Sequence, residues 1–342
     1  MNNHNHRVCL IPNVSGVGGM VSFRGKLING LAERGIGVSF DLRDRPYAAV
    51  LVIGGTRDLP GLWHARRRGV HIVQRLDGMN WIHRKRRTGW RHFVRAEYGN
   101  IILSLIRSRL ADMVVYQSVF SQRWWDRIYG IIQNPWHVVY NGVDLKHYSP
   151  AGEGKKPDGH IRILLVEGAI AGGYEWGLET AIQVAERINN PDTRRVELMV
   201  VGRVAESLQR EWSKKAVIPI TFTGQVPADK IPELDRSAHI LYAADLNAAC
   251  PNSVIEAMAC GLPIVAFDTG ALSELVIGDA GKLVPYGGDP WALDPPDIEK
   301  LADAALLVLK NQSRFSGDAR KRAEEAFGLD YMVEGYLNAL KL

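Results

Sequence analysis

From Arg7 onward, short apolar runs alternate with longer stretches in which apolar residues recur every three or four positions. Residues 7–12, 37–42, 48–53, 70–75 and 113–117 have the first pattern, that of strands buried on both faces. Residues 20–34, 59–68, 98–110 and 118 to about 129 have the second, that of helices. The polar stretch 151–159, rich in Gly, Lys and Pro, reads as a linker. Beyond it the alternation resumes. Strands are predicted at 161–166, 196–201, 220–223, 240–243 and 263–267. Helices are predicted at 178–189, 205–215, 231–236, 254–259, 298–309, 319–326 and 331–342, and another opens at Ser273. Such β/α alternation implies mainly parallel sheets with helices on both faces. The second half repeats the style of the first without repeating its sequence.

At 342 residues the chain is long enough for two domains with full cores. No apolar run reaches the roughly 18–20 residues that span a bilayer. The start, MNNHNHRVCLIPN, is too short in apolar residues for a secretion signal and runs straight into a strand. Cys9, Cys250 and Cys260 are scattered, odd in number and without metal spacing, which points to a reducing compartment. A cytoplasmic protein is therefore expected. The net charge of +5 is uneven: thirteen Arg or Lys stand against three acids between Arg57 and Arg109. The run Arg84-Lys85-Arg86-Arg87 is followed by Trp90, Phe93 and Tyr98. This region is either a solvated face or a surface for anionic lipid headgroups or a phosphate-bearing acceptor, which would make contact with the inner membrane face peripheral. No reading motif of a nucleic-acid-binding fold is present.

The densest chemistry lies between Asp245 and Val276. Pro251 suits a first helical turn, and Asn252 and Ser253 suit a helix start. Gly261 stops the helix, a buried strand follows, and Asp268-Thr269-Gly270 turns the chain. A helix start after a small-residue loop directs free N–H groups and a positive dipole end outward, which suits phosphate. The amides around Asn252, Ser253 and Val254 are the candidates. Glu256, about a turn further on, is placed either to accept hydrogen bonds from ribose hydroxyls or to cap its own helix. In the first half, the loop with Gly16, Gly18 and Gly19 lets backbone approach a ligand after the first strand, although its spacing is not the dinucleotide fingerprint. Asp77 follows a strand, where α/β proteins keep working residues; a turn-forming Asp is the other reading.

The segment CPNSVIEAMACGLPIVAFDTGALSELV resembles the nucleotide-sugar signature of retaining family-4 glycosyltransferases, with EAMACGLPIVA nearly letter for letter. VVYNGVDLKHYSP, ending at Pro150, resembles the segment that closes the N-terminal domain in that family. The resemblance implies a GT-B fold: two Rossmann-like doubly wound domains facing across a cleft. Residues 1–150 would bind the acceptor, residues 160–327 the nucleotide sugar, and helix 328–342 would return to the first domain. It implies transfer of a hexosyl-type sugar from a nucleotide diphosphate sugar to a sugar, glycan or lipid-linked hydroxyl, with retention, as in polysaccharide biosynthesis. It places Gly18 and Gly19 toward the donor and Asp77 beside the acceptor. Arg84, Arg86 and Arg87 form the acceptor or membrane surface. No metal or other cofactor is implied: there is no Asp-x-Asp, and a helix end plus cations can neutralise a diphosphate.

Three departures from the family's pattern stand out. Ala248 occupies the place of the first glutamate, and Asp245 or Asn247 could take over its contact. Glu167-Gly168 stands where Gly-Arg is expected, and Trp176 where Lys is expected. Arg203 is the nearest replacement cation, and Gly172-Gly173 could instead offer backbone amides. The departures keep two alternatives open beside the transferase: a non-catalytic GT-B module that binds a nucleotide or partner, and a nucleotide-sugar epimerase of the same fold.

Overall fold

The structure is a computed structural model that describes residues 7–14, 16, 18–86, 89–171 and 175–342. It divides into two compact units, residues 1–142 with 329–342, and residues 143–328.

In the first unit the chain runs β1 (Arg7–Ile11), α1 (Gly19–Glu33), β2 (Gly37–Ser39), β3 (Ala49–Ile53), α2 (Leu59–Arg67), β4 (His71–Leu76), α3 (Trp90–Leu105), β5 (Met113–Tyr116), α4 (Val119–Tyr129) and β6 (Trp136–Val138). The strands form one parallel sheet in the order β2-β1-β3-β4-β5-β6. Successive residues of a strand face opposite sides, and the cores follow that rule. Val8, Leu10, Leu51 and Ile53 pack with Phe23, Leu27 and Leu31 of α1. Cys9, Ile11, Val50 and Val52 pack on the other face with Leu62 and Ala65 of α2. Short polar side chains start two helices: Asp58 accepts from the Gly61 amide (2.9 Å) and Ser118 from that of Ser121 (3.1 Å).

The second unit runs β7 (Ile161–Ile170), α5 (Trp176–Ile188), β8 (Val196–Val204), α6 (Glu206–Lys215), β9 (Ile220–Gly224), α7 (Ile231–Arg236), β10 (Ile240–Tyr242), α8 (Asn252–Ala259), β11 (Ile264–Phe267), α9 (Leu272–Leu275), β12 (Gly281–Val284), α10 (Ile298–Lys310) and α11 (Gln312–Ala326). Its parallel sheet has the order β12-β11-β10-β7-β8-β9. The chain builds outward from β7 through β8 to β9, then returns to the other side of β7 with β10.

The last helix, α12 (Leu329–Leu340), belongs to the first unit. Met332, Val333, Tyr336 and Leu340 enter the same core as α1. Arg34 bonds both Asp330 and Glu334 at 2.9 Å, and the His71 ring reaches the Ala339 carbonyl at 3.0 Å.

Several elements differ from the sequence expectation. α3 starts at Trp90 rather than residue 98, and its last turn passes into a π-helical segment, Ile106–Leu110. Its start is hidden in the sequence because Trp90, Phe93 and Val94 face outward while the inner face there carries Ala96 and Asn100. α11 starts at Gln312 rather than residue 319, since Ser313, Ser316 and Gly317 weaken its first half as a helix signal. β6 and β12 were not predicted; WHV and GKLV are too short to show a period. β7 runs to Ile170 because it bulges between Val166 and Ala169 and then resumes pairing with β8.

A Cβ at Gly30 of α1 would overlap a methyl of Val333 in α12. Gly30→Val is therefore expected to destabilise the first unit by about 1–3 kcal/mol, read as a lower urea midpoint. A midpoint equal to that of the parent chain would mean that α12 does not pack on α1 this closely.

Candidate functional site

The strand order of the second unit reverses between β7 and β10. In open α/β sheets the crevice at the carboxyl ends of the strands flanking such a reversal is the ligand position. A cavity of about 170 Å³ lies at this place, lined by Glu167, Ala169, Ile170, Gly177, Leu178, Ala244 and Asp245. Gly177, in the first turn of α5, makes it possible: a Cβ there would come within 2.9 Å of the Ala244 side chain.

Two carboxylates share this cavity. Burial raises both above the ordinary carboxylate range, and the charge of Asp245 raises Glu167 further. The β7 bulge places Glu167 there, and it depends on Gly202, whose φ is +128° and where a side chain would drive into the Glu167 carbonyl. Beyond the bulge, Ala169 pairs in register with Arg203 of β8. Arg203 is exposed, and its side chain makes no hydrogen bond or ion pair among the described residues. Gly172 and Gly173 lie outside the described residues.

α8 opens beside this edge, after the loop that follows β10. Pro251 occupies its N-cap position rather than its first turn, and no side chain caps it. The first helical bond is Ile255 N–H to the Pro251 carbonyl, so the amides of Asn252, Ser253 and Val254 lack intrahelical acceptors. The Asn252 and Ser253 side chains make no cap hydrogen bond, unlike the capping role their type suggests. Glu256 is half-buried. After burial, its charge is the next cause holding up the pKa of Asp235 in α7 and of Tyr148.

The loop before α8 is fixed by backbone contact. Gly270 has φ +62°, and a Cβ there would lie 2.6 Å from both the amide nitrogen and the carbonyl oxygen of Ala248. The Ala271 amide donates to that carbonyl at 2.9 Å. Ala248 is consequently buried, a position with room for a methyl group. Asn247, with φ +58°, is buried as well, and its side-chain amide nitrogen has no hydrogen-bond partner among the described residues; the same holds for the Thr269 hydroxyl.

The remaining candidates belong to the first unit. Gly18 is the N-cap of α1 and Gly19 its first residue, with no capping side chain. Among the described residues nothing lies within 4 Å of a Cβ added at Gly16 or Gly18. Asp77 follows β4; burial raises its pKa, Arg75 opposes the shift, and its carbonyl accepts from the Trp125 indole at 2.8 Å. Arg84 is a structural partner rather than a free cation: it pairs with Glu97 through two bonds of 2.5 and 2.7 Å, and Glu97 also holds His83 at 2.7 Å. Arg84 and then His83 pull the Glu97 carboxyl down to about 2. Arg86 is exposed, and Arg87 lies outside the described residues. Among the described residues no group of three or more His, Cys, Asp or Glu side chains is arranged to hold a metal ion, and no helix is long and apolar enough to cross a membrane.

In the sequence Glu167 stands only as a departure from a motif, and Asp245 as a residue that could take over the contact missing at Ala248. What joins them is strand order, and the signal that could have found them is the position of each just past a strand.

Comparison with known proteins fits this geometry. The family model described as Glycosyl transferases group 1 matches residues 162–311, from β7 through α10. The chain is 27% identical over 204 residues to phosphatidyl-myo-inositol mannosyltransferase of Mycolicibacterium smegmatis, over 57% of this chain and 48% of that protein. It is 28% identical over 199 residues to MMP alpha-(1->4)-mannosyltransferase of Mycolicibacterium hassiacum, over 56% of this chain and 44% of that protein. The chain thus spans about half the length of these curated relatives. Among solved structures, Anabaena HepE in complex with UDP-glucose superposes with a TM-score of 0.70 at 16% identity, over 98% of this chain and 99% of that one. Sucrose-phosphate synthase from Thermosynechococcus elongatus gives 0.67 at 16% identity, over 96% and 81%. Two six-stranded parallel sheets with these likenesses define a two-domain α/β GT-B fold.

One prediction concerns stability. Burial, then the charge of Glu256, raises Asp235 well above its ordinary value. A raised carboxyl keeps its proton in the folded state after the unfolded chain has lost it, so it makes stability fall as pH rises above the unfolded pKa. Asp235→Asn removes this contribution. The variant is expected to melt above the parent chain at pH 8, with the difference closing toward pH 4. A difference that does not change with pH would contradict the assignment.

Proposed function

We propose that this chain is a glycosyltransferase that moves a hexosyl-type sugar from a nucleotide diphosphate sugar to a sugar, glycan or lipid-linked hydroxyl, with retention of configuration. The observation that carries the reading is the Glycosyl transferases group 1 match over residues 162–311, which contains the cavity, the start of α8 and Glu256. In this reading Glu256 accepts from the ribose hydroxyls and the amides of Asn252–Val254 face the diphosphate. Gly18 and Gly19 are assigned to the donor and Asp77 to the acceptor. Arg203 supplies a cation beside the diphosphate. The leaving phosphate takes the proton of the incoming hydroxyl, and no metal takes part. The mannosyltransferases among the relatives make a nucleotide-activated mannose one donor to try, and the HepE complex makes UDP-glucose another.

The test is a thermal-shift screen of GDP-, UDP-, ADP- and dTDP-sugars, followed by product analysis with the stabilising donor. Turnover is expected to survive EDTA, and the anomeric coupling of the product to match that of the donor. Glu256→Ala is expected to weaken nucleotide binding about 10- to 100-fold, the loss of hydrogen bonds to a charged acceptor. Unchanged calorimetric affinity in that variant would remove the ribose assignment.

A second reading has a specific observation in its favour. Glu167-Gly168 and Trp176 stand where the family's pattern expects an Arg and a Lys, and the carboxylates of Glu167 and Asp245, which line one cavity, repel a diphosphate once ionised. Their raised pKa values delay that ionisation, so nucleotide affinity is expected to fall as pH rises through them. At pH 8, Glu167→Gln should bind a nucleoside diphosphate about fivefold more tightly than the parent chain, the ~1 kcal/mol between unit charges about 4 Å apart in water. The gap should shrink in acid. A chain that binds nucleoside diphosphates yet transfers no sugar across the donor panel would be the non-catalytic module.

A further inference from the structure

α3 inverts the usual order of a surface helix. Its inner contacts are largely polar toward the N-terminal half, with Ile102 and Leu103 packing inward near its end. The Asn100 side chain accepts from the Asn80 amide (3.0 Å) and donates to the Asn80 carbonyl (2.9 Å), and the Gln74 side chain donates to the Leu103 carbonyl (3.1 Å). Glu97 ties the helix to His83 and Arg84. Its outer side is apolar. Trp90, Val94, Tyr98, Ile101 and Leu105 are all exposed, Trp90 by 74% and Ile101 by 56%. At 3.6 residues per turn these five fall within an arc of about 80°, a continuous stripe along the helix. Scattered exposed apolar residues are ordinary, but a contiguous stripe marks a surface made to be covered.

Charge says what covers it. Arg91 and Arg95 are exposed on one flank of the stripe, Arg91 stacking on the Trp90 ring at 5.6 Å. Lys85 and Arg86 are exposed just before the helix. Glu97 is the one acid between residues 84 and 109, and Arg84 neutralises it. An apolar stripe with Trp and Tyr at the water boundary and arginines beside it suits a helix lying in the headgroup region of an anionic bilayer. A second copy of the chain fits worse, because a two-fold contact through the stripe brings the cations of two helices together.

We propose that the outer face of α3 docks the first unit onto a membrane surface carrying anionic lipid, with the five apolar side chains in the headgroup boundary and Arg91 and Arg95 on lipid phosphates. This goes beyond the proposed transfer reaction, and its test uses neither donor nor acceptor, so either idea can fail alone. The full chain is floated with phosphatidylcholine vesicles and with vesicles of about one-third phosphatidylglycerol. It is expected to rise with the anionic vesicles at low ionic strength and to be released as salt increases. Val94→Glu with Ile101→Glu should lower the partition at least about tenfold while leaving the melting midpoint unchanged, because both side chains are exposed. Arg91→Glu with Arg95→Glu should erase the preference for anionic over neutral vesicles. Three results would overturn the proposal: no retention by anionic vesicles at low salt, retention indifferent to the stripe substitutions, or a concentration-dependent dimer that those substitutions dissolve.

Discussion

The second unit is governed by one topological constraint: the chain reverses its direction of sheet growth between β7 and β10. Helices after strands on opposite sides of that reversal leave by opposite faces, so nothing fills the carboxyl edge between them. The cavity, the two carboxylates and the open start of α8 all follow from it. The local sequence then adjusts the details, with Gly177 admitting α5 close to β10 and Gly202 admitting the bulge that carries Glu167.

The two carboxylates give the edge a character that a diphosphate site would not ordinarily have. A cation pair attracts phosphate at any pH, whereas a protonated acid pair tolerates it only while the protons stay. In the proposed reading the positive potential comes from the backbone amides at the start of α8 and from Arg203. Asp235, a second buried carboxyl, lies close enough to Glu256 to be raised by its charge. The proposed nucleotide end of the unit therefore contains several acids in a small volume, and its electrostatics depend on how many of them are ionised.

Much of this was legible in the sequence, because regular periods and special residues report local structure. The β/α alternation, the turn at Asp268-Thr269-Gly270 and the helix carrying Glu256 all rest on neighbours within a few positions. What was not legible rests on distant neighbours. Glu167 and Asp245 are brought together by strand order, which no period encodes. The pairing of Arg84 with Glu97 was equally out of sight, because Glu97 lies on another element, thirteen positions away. The start of α3 was missed because the period of its apolar residues marks the outside of the helix, and an inward-facing reading expects the reverse.

The contact between Gly270 and the Ala248 backbone carries a consequence for divergence. The path of the loop that bears Asp245, Asn247 and Cys250 is held by a residue two elements away in sequence. For a lineage, any replacement at 270 therefore forfeits this rim as a whole.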